Sequence, residues 1–121
     1  MFAAHNKVDN LIATVDWNNA QIDGKTEDVM DLGDLNAKFE AFGWKTIVLE
    51  DGNNLEFVLE TLARAQSETG KGQPVVILMK TAMGYGVDFM EAEGYKWHGK
   101  AANEEQLAVA LEQLEETLGD Y

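Results

Sequence analysis

Cysteine is absent from the 121 residues, which removes disulfides and thiolate chemistry and says little about compartment. Basic residues are scarce, 9 against 22 acidic ones, for a formal net charge of -13. That balance works against attraction to nucleic acid or anionic membranes, so neither is expected as a partner. A phosphorylated small molecule stays compatible with it, because a bound cation, main-chain amides and one or two placed side chains can supply positive charge locally. No apolar run approaches the length of a transmembrane helix, and Met1-Phe2-Ala3-Ala4-His5 has neither the basic start nor the apolar centre of a signal peptide. The default expectation is a cytoplasmic protein of at most one domain.

What the chain does contain is an alternation of strand and helix patterns. Residues 11–15 (Leu-Ile-Ala-Thr-Val), 44–49 (Trp-Lys-Thr-Ile-Val-Leu) and 75–79 (Val-Val-Ile-Leu-Met) are short branched or apolar runs, the last introduced by the single proline, Pro74. Between them, Leu35, Phe39 and Phe42 predict a helix capped by Asp31 or Asp34 and stopped by Gly43. Leu55, Val58, Leu59, Leu62 and Ala65 predict a second helix, capped by Asn53 or Asn54. A last helix, opened by Asn103 with Gln106, carries the stripe Leu107, Leu111, Leu114 and Leu118 before Gly119. The expected fold is therefore α/β, a parallel sheet with covering helices. Phe2-Ala3-Ala4-His5 reads as the tail of a longer helix, and the strand at residues 11–15 or another is expected at an unprotected edge.

The candidate site lies just past the first strand, in Asp16-Trp17-Asn18-Asn19-Ala20-Gln21-Ile22-Asp23-Gly24. Ligands of open α/β sheets collect at the carboxyl ends of strands. The Asn18 amide oxygen and nearby main-chain carbonyls are hard donors suited to magnesium with a phosphate ester. The same residue types also cluster in ordinary turns, and composition alone favours that reading. An EF-hand is excluded, since Ala20 and Gln21 stand where a third oxygen ligand and the turning glycine belong. The glycine-bearing segment 80–102 is too long for a passive connector and is expected to carry function. His98 there can donate to an anionic oxygen or shuttle a proton.

The loop resembles the second half of the thiamine diphosphate motif of transketolases, its Ile22-Asp23-Gly24 ending in particular. The resemblance continues through Phe42-Gly43-Trp44, Lys80-Thr81-Ala82-Met83-Gly84-Tyr85-Gly86 and Trp97-His98-Gly99-Lys100, covering nearly the whole chain in order. It implies that residues 1–121 are the C-terminal portion of a thiamine diphosphate-binding domain, an incomplete thiamine diphosphate-binding fold whose Gly-Asp-Gly segment lies upstream. It also implies magnesium, or calcium or manganese in its place, bound by the Asn18 side chain and the Ala20 carbonyl. Ile22 and Met83 would pack against the cofactor, and His98 would contact both its diphosphate and the donor substrate as the catalytic residue. Family members often have a different apolar residue at the Met83 position and often a proline shortly after the His-Gly, so Met83 and Ala101-Ala102 are departures from the pattern.

The implied activity is transfer of a two-carbon ketol unit between sugar phosphates, as in the pentose phosphate pathway. The chain would act within an assembly that adds a pyrimidine-binding domain or subunit, as a homodimer or heterotetramer, and would be inactive alone. The alternatives are another thiamine enzyme such as a deoxyxylulose phosphate synthase, or a noncatalytic interaction module. A phosphate-receiving signalling domain is disfavoured, because Leu49-Glu50-Asp51-Gly52 does not fit the required order of acids well. Lys80 reads as a strand terminator outside the site, and Asp16 and Asp23 as turn-forming residues.

Overall fold

A computed structural model describes residues 1–114. Its centre is a three-stranded parallel sheet of β1 (Ile12–Trp17), β4 (Lys45–Leu49) and β5 (Val75–Lys80), in the order β1-β5-β4. The α/β reading holds, with β5 as the middle strand. Val75, Val76, Ile77 and Leu78 are all buried, as a continuous apolar run between two neighbours should be. In β4 the alternation shows instead: Ile47 and Leu49 are buried while Val48 between them is exposed. β1 and β4 form the two edges of this sheet among the described residues.

Three side-chain caps match the sequence. Asp34 caps α3 (Leu35–Ala41), accepting from Ala37 N at 2.9 Å. Asn54 caps α4 (Leu55–Ser67) through Glu56 N and Phe57 N. Asn103 and Gln106 form a reciprocal capping box at α6 (Glu104–Gln113), with bonds of 2.8 and 3.1 Å. The expected fragment at the start is α1 (Phe2–His5).

Two apolar stripes differ from expectation. On α4, Val58 and Ala65, two turns apart, meet the core of Ile47, Leu49, Val75 and Ile77. Leu55, Leu59 and Leu62 are exposed, at 69, 58 and 37%. Successive residues rotate by about 100° around a helix, so a sheet of this width covers only the narrow stripe that Val58 and Ala65 share. On α6 the buried residue is Ala110, while Leu107, Leu111 and Leu114 are exposed. Leu118 and Gly119 lie outside the described residues.

An apolar helix face of this size promotes association. We expect concentration-dependent self-association of the chain in sedimentation velocity, reduced by the double substitution Leu55→Ser/Leu59→Ser at an unchanged melting temperature. Association that persists in the double variant would place the sticky surface elsewhere.

Two segments in which the sequence shows no strand or helix pattern also form structure. Residues 20–25 make an antiparallel ribbon, β2 (Ala20–Gln21) paired with β3 (Gly24–Lys25), followed by the single helical turn α2 (Thr26–Val29). The long glycine-bearing segment holds α5 (Asp88–Glu93) and a 3-10 turn (Gly94–Trp97). Glycine is required at Gly84, where φ is 75° and a Cβ would stand 2.5 Å from Met90 Cβ. α5 is held at its start by Asp88 N donating to Gln113 Oε1 at 2.8 Å and from its middle by Glu91 Oε1 accepting from Gly86 N at 2.7 Å.

Candidate cofactor site

β1 delivers Asn18 and Asn19 to the carboxyl end of the sheet, where the chain leaves the ladder and turns. Asn19 takes the left-handed conformation, φ 57°, a region that asparagine tolerates better than most residues. Its carbonyl accepts from Thr26 N at 3.0 Å, which folds the ribbon back beside the strand end. The Asn18 side chain is anchored at both ends of its amide. Nδ2 donates to Asp16 Oδ2 at 3.3 Å, and Oδ1 accepts from Ala20 N at 3.0 Å. This is an Asx turn, so the ordinary conformational role of the residue is present. A carbonyl oxygen has two lone pairs and Oδ1 uses one, leaving the other for a cation.

Beside this loop is a cavity of about 740 Å³. One wall is residues 17–20 with 25–27, another is residues 31–33, and the third is residues 91–96 of α5 and the 3-10 turn. Trp17 and Tyr95 give it aromatic surface, and its charged lining is Lys25 and Lys96 against Glu27, Asp31, Glu91 and Glu93, with Lys25 Nζ paired to Glu27 Oε1 at 3.5 Å. A second hollow of about 270 Å³ shares Trp17, Asn19 and Glu91 and extends to Lys80 and Tyr85. Lys80 Nζ pairs with Glu50 Oε2 at 2.6 Å and lies 5.4 Å from the centre of the Trp17 ring. Lys80 is thereby occupied with strand-end neighbours, in keeping with its reading as a terminator.

Asn18 and Ala20 are thus brought together on the cavity wall. Ile22, Met83 and His98 are not among the residues lining it. Ile22 is 78% exposed, between the two strands of the ribbon. Met83 is half-buried just past β5, and His98 is exposed directly after the 3-10 turn, its N–H donating to Tyr95 O at 3.0 Å. Where the ribbon packs on that turn, Gln21 Nε2 and Trp97 Nε1 are buried with no hydrogen-bond partner among the described residues.

Sequence reasoning did not assign Thr81 a role, yet its hydroxyl donates to Asp16 Oδ1. The signal was its position one residue beyond β5, but strand order is needed to see that it faces Asp16. Tyr95 and Lys96 were missed because nothing local marked the 3-10 turn. Asp16 takes the turn-bonding part expected of it.

No group of three or more His, Cys, Asp or Glu side chains able to hold a metal ion occurs among the described residues. The two donors that the loop offers at Asn18 and Ala20 are neutral oxygens, and the cavity's carboxylates at Glu27, Asp31, Glu91 and Glu93 form no such group. An oxygen-only, partial set fits a hard divalent cation that takes its remaining ligands from elsewhere, and does not fit a soft or redox metal.

The family described as "Transketolase, thiamine diphosphate binding domain" matches residues 1–118. The chain belongs to this family. Among its relatives is the 6-deoxy-6-sulfo-D-fructose transketolase subunit of Clostridium sp. (strain MSTE9), 36% identical over 95% of this chain and 40% of that protein. An apulose-4-phosphate transketolase subunit of Actinobacillus succinogenes is 35% identical over 94% of this chain and 40% of its own length. Transketolase 1 of Pasteurella multocida is 40% identical over 86% of this chain and 15% of its own length.

Among solved structures, transketolase from Campylobacter jejuni superposes with a TM-score of 0.75 at 25% identity, covering 93% of this chain and 17% of that one. Transketolase from Leishmania mexicana shares the fold, with a TM-score of 0.66 at 22% identity over 93% of this chain and 19% of that one. The chain therefore spans about 40% of the subunit relatives and about 15% of the Pasteurella enzyme. Thiamine diphosphate is the cofactor of the family. No helix among the described residues is long and apolar enough to cross a membrane.

Proposed function

We propose that this chain supplies the diphosphate-binding loop of a transketolase that moves a two-carbon ketol unit between sugar phosphates. The observation that carries this reading is the Asn18 side chain, held at the carboxyl end of β1 on the wall of a 740 Å³ cavity, with one lone pair of its oxygen uncommitted among the described residues. Asn18 Oδ1 and the Ala20 carbonyl would hold magnesium, or calcium or manganese in its place, and the cation would tie the cofactor phosphates to the loop. Ile22 and Met83 would be apolar neighbours of the cofactor on the family resemblance alone, since neither lines the cavity.

The cofactor, when bound, supplies the electron sink that carbon–carbon cleavage requires. The chain's own residues bind, orient and exclude water. His98 follows the turn that walls the cavity and is exposed, outside the cavity lining. Its role is to donate to the anionic and hydroxyl oxygens of cofactor and donor substrate. The remaining groups come from a pyrimidine-binding domain or subunit, and the chain by itself is inactive. This fits relatives that are named as transketolase subunits.

In the complete enzyme, His98→Ala should lower kcat/KM for the ketose phosphate donor by roughly 100-fold or more, the scale of losing a positioned acid–base group. Cofactor affinity should fall less. Steady-state ketol transfer between sugar phosphates, with the cofactor dissociation constant measured in parallel, checks this. Full activity in the variant would remove His98 from the site.

A further inference from the structure

Three loop ends converge behind Asn18. The parallel register sets Asp16 beside Met79 and Trp17 beside Lys80, so Thr81 is the first residue past the ladder, its N–H reaching Trp17 O at 3.4 Å. Its hydroxyl donates to one oxygen of Asp16, and the other oxygen of Asp16 accepts from Asn18 Nδ2 at 3.3 Å. A primary amide has two chemically opposite ends, and tying its NH₂ to a carboxylate decides where the oxygen points.

Thr81 is itself gripped from the β4–α4 loop. Gly52 N donates to Lys80 O at 2.7 Å, and Asn53 Oδ1 accepts from Ala82 N at 2.7 Å, so the carbonyl before Thr81 and the amide after it are both fixed by one loop. That loop approaches so closely that a Cβ on Gly52 would lie 2.8 Å from Thr81 Cγ2 and 2.9 Å from Lys80 O.

We infer that Thr81 and Asp16, backed by Gly52, are positioning residues that hold the Asn18 oxygen toward the metal and diphosphate site. The inference rests on the reading of Asn18 as a ligand. None of the three needs to touch the cofactor. Outer-shell partners of this kind commonly change metal affinity by about 10–100-fold when removed. A strand-end hydrogen bond with only a structural part would instead change stability and leave affinity alone.

The test is calorimetric titration of the complete enzyme with thiamine diphosphate at fixed magnesium, for Asn18→Ala, Thr81→Val, Thr81→Ser, Asp16→Ala and Gly52→Ala. Melting temperatures serve as the folding control. Thr81→Val and Asp16→Ala should weaken magnesium-dependent binding by about 10-fold or more. Thr81→Ser keeps the hydroxyl and should stay within about twofold, while Gly52→Ala, which pushes on Thr81, should resemble Thr81→Val.

Wild-type affinity in both Thr81→Val and Asp16→Ala, with Asn18→Ala impaired, would overturn the positioning role and leave the site reading standing. So would equal losses in Thr81→Val and Thr81→Ser. Unimpaired binding in Asn18→Ala, or no magnesium-dependent binding by the wild type, would overturn the site reading and this inference with it.

Discussion

Replacing Asn18 with alanine is expected to weaken magnesium-dependent thiamine diphosphate binding by about 100-fold or more, beyond the range seen when only an outer-shell partner is lost. Folding should change much less. Alanine removes one hydrogen bond to Ala20 N and one to Asp16, both at a partly or fully exposed position. Such bonds contribute on the order of 1 kcal/mol each. The unpaired Ala20 N–H can turn to water at the cavity mouth, and in the larger complete enzyme the melting temperature should fall by about 2–4 °C per kcal/mol lost or less. A large affinity change against a small stability change is the signature of a ligand. If the two moved together, the residue would be an Asx-turn former and no more. Calorimetry and thermal melting on the same preparations distinguish these results.

Gly84→Ala should produce the largest stability loss of any exposed-loop substitution in the chain. Two costs add. At φ 75° an alanine pays about 1–2 kcal/mol for the left-handed conformation. Its Cβ would also stand 2.5 Å from Met90 Cβ and 2.9 Å from the Met90 carbonyl carbon, so backbone must move. Together these give about 2–4 kcal/mol, a large part of a marginal domain's stability.

Gly70 provides the control: its φ is 76°, but nothing lies within 4 Å of its added Cβ. Gly70→Ala should show the conformational cost alone, so the difference between the two urea midpoints measures the collision. The consequence extends to the site. Met90 is on α5, which continues into the wall formed by residues 91–96, so Gly84→Ala should also loosen cofactor binding. Equal stability losses in the two variants would show that the 84–90 loop yields without strain.

Much of this was legible because the deciding interactions are local. The three caps at Asp34, Asn54 and Asn103 involve residues two or three positions apart, and each helix begins where its cap predicts. The three sheet strands were legible as apolar runs. The ribbon at residues 20–25 was not, because two-residue strands carry no periodicity and its Asp23-Gly24 turn signal was absorbed in the reading of the loop. α5 was hidden among glycines and charges that show no sustained apolar face.

The stripes on α4 and α6 mark where pattern reading goes too far. Apolar spacing shows that a helix has a face suited to burial, and cannot say whether a surface exists to bury it. Val58 and Ala65 meet the core while Leu55 and Leu59 face outward, because the number of strands and the helix's rotation decide that outcome.

By itself the sequence determined the α/β class, the starts of α3, α4 and α6 and the pairing of Asn18 with Ala20 in one loop, since each depends on residues close together in the chain, and the family, through motifs that recur in order along it. Only the tertiary structure decided that β5 lies between β1 and β4, and with it the meeting of Thr81 with Asp16 across 65 positions. It also decided that residues 91–96 face residues 17–20 across a cavity, while His98 stands outside its lining. Contacts between distant segments depend on strand order and register. Those are set by which buried faces match, a property of the whole core that no local run of residues records.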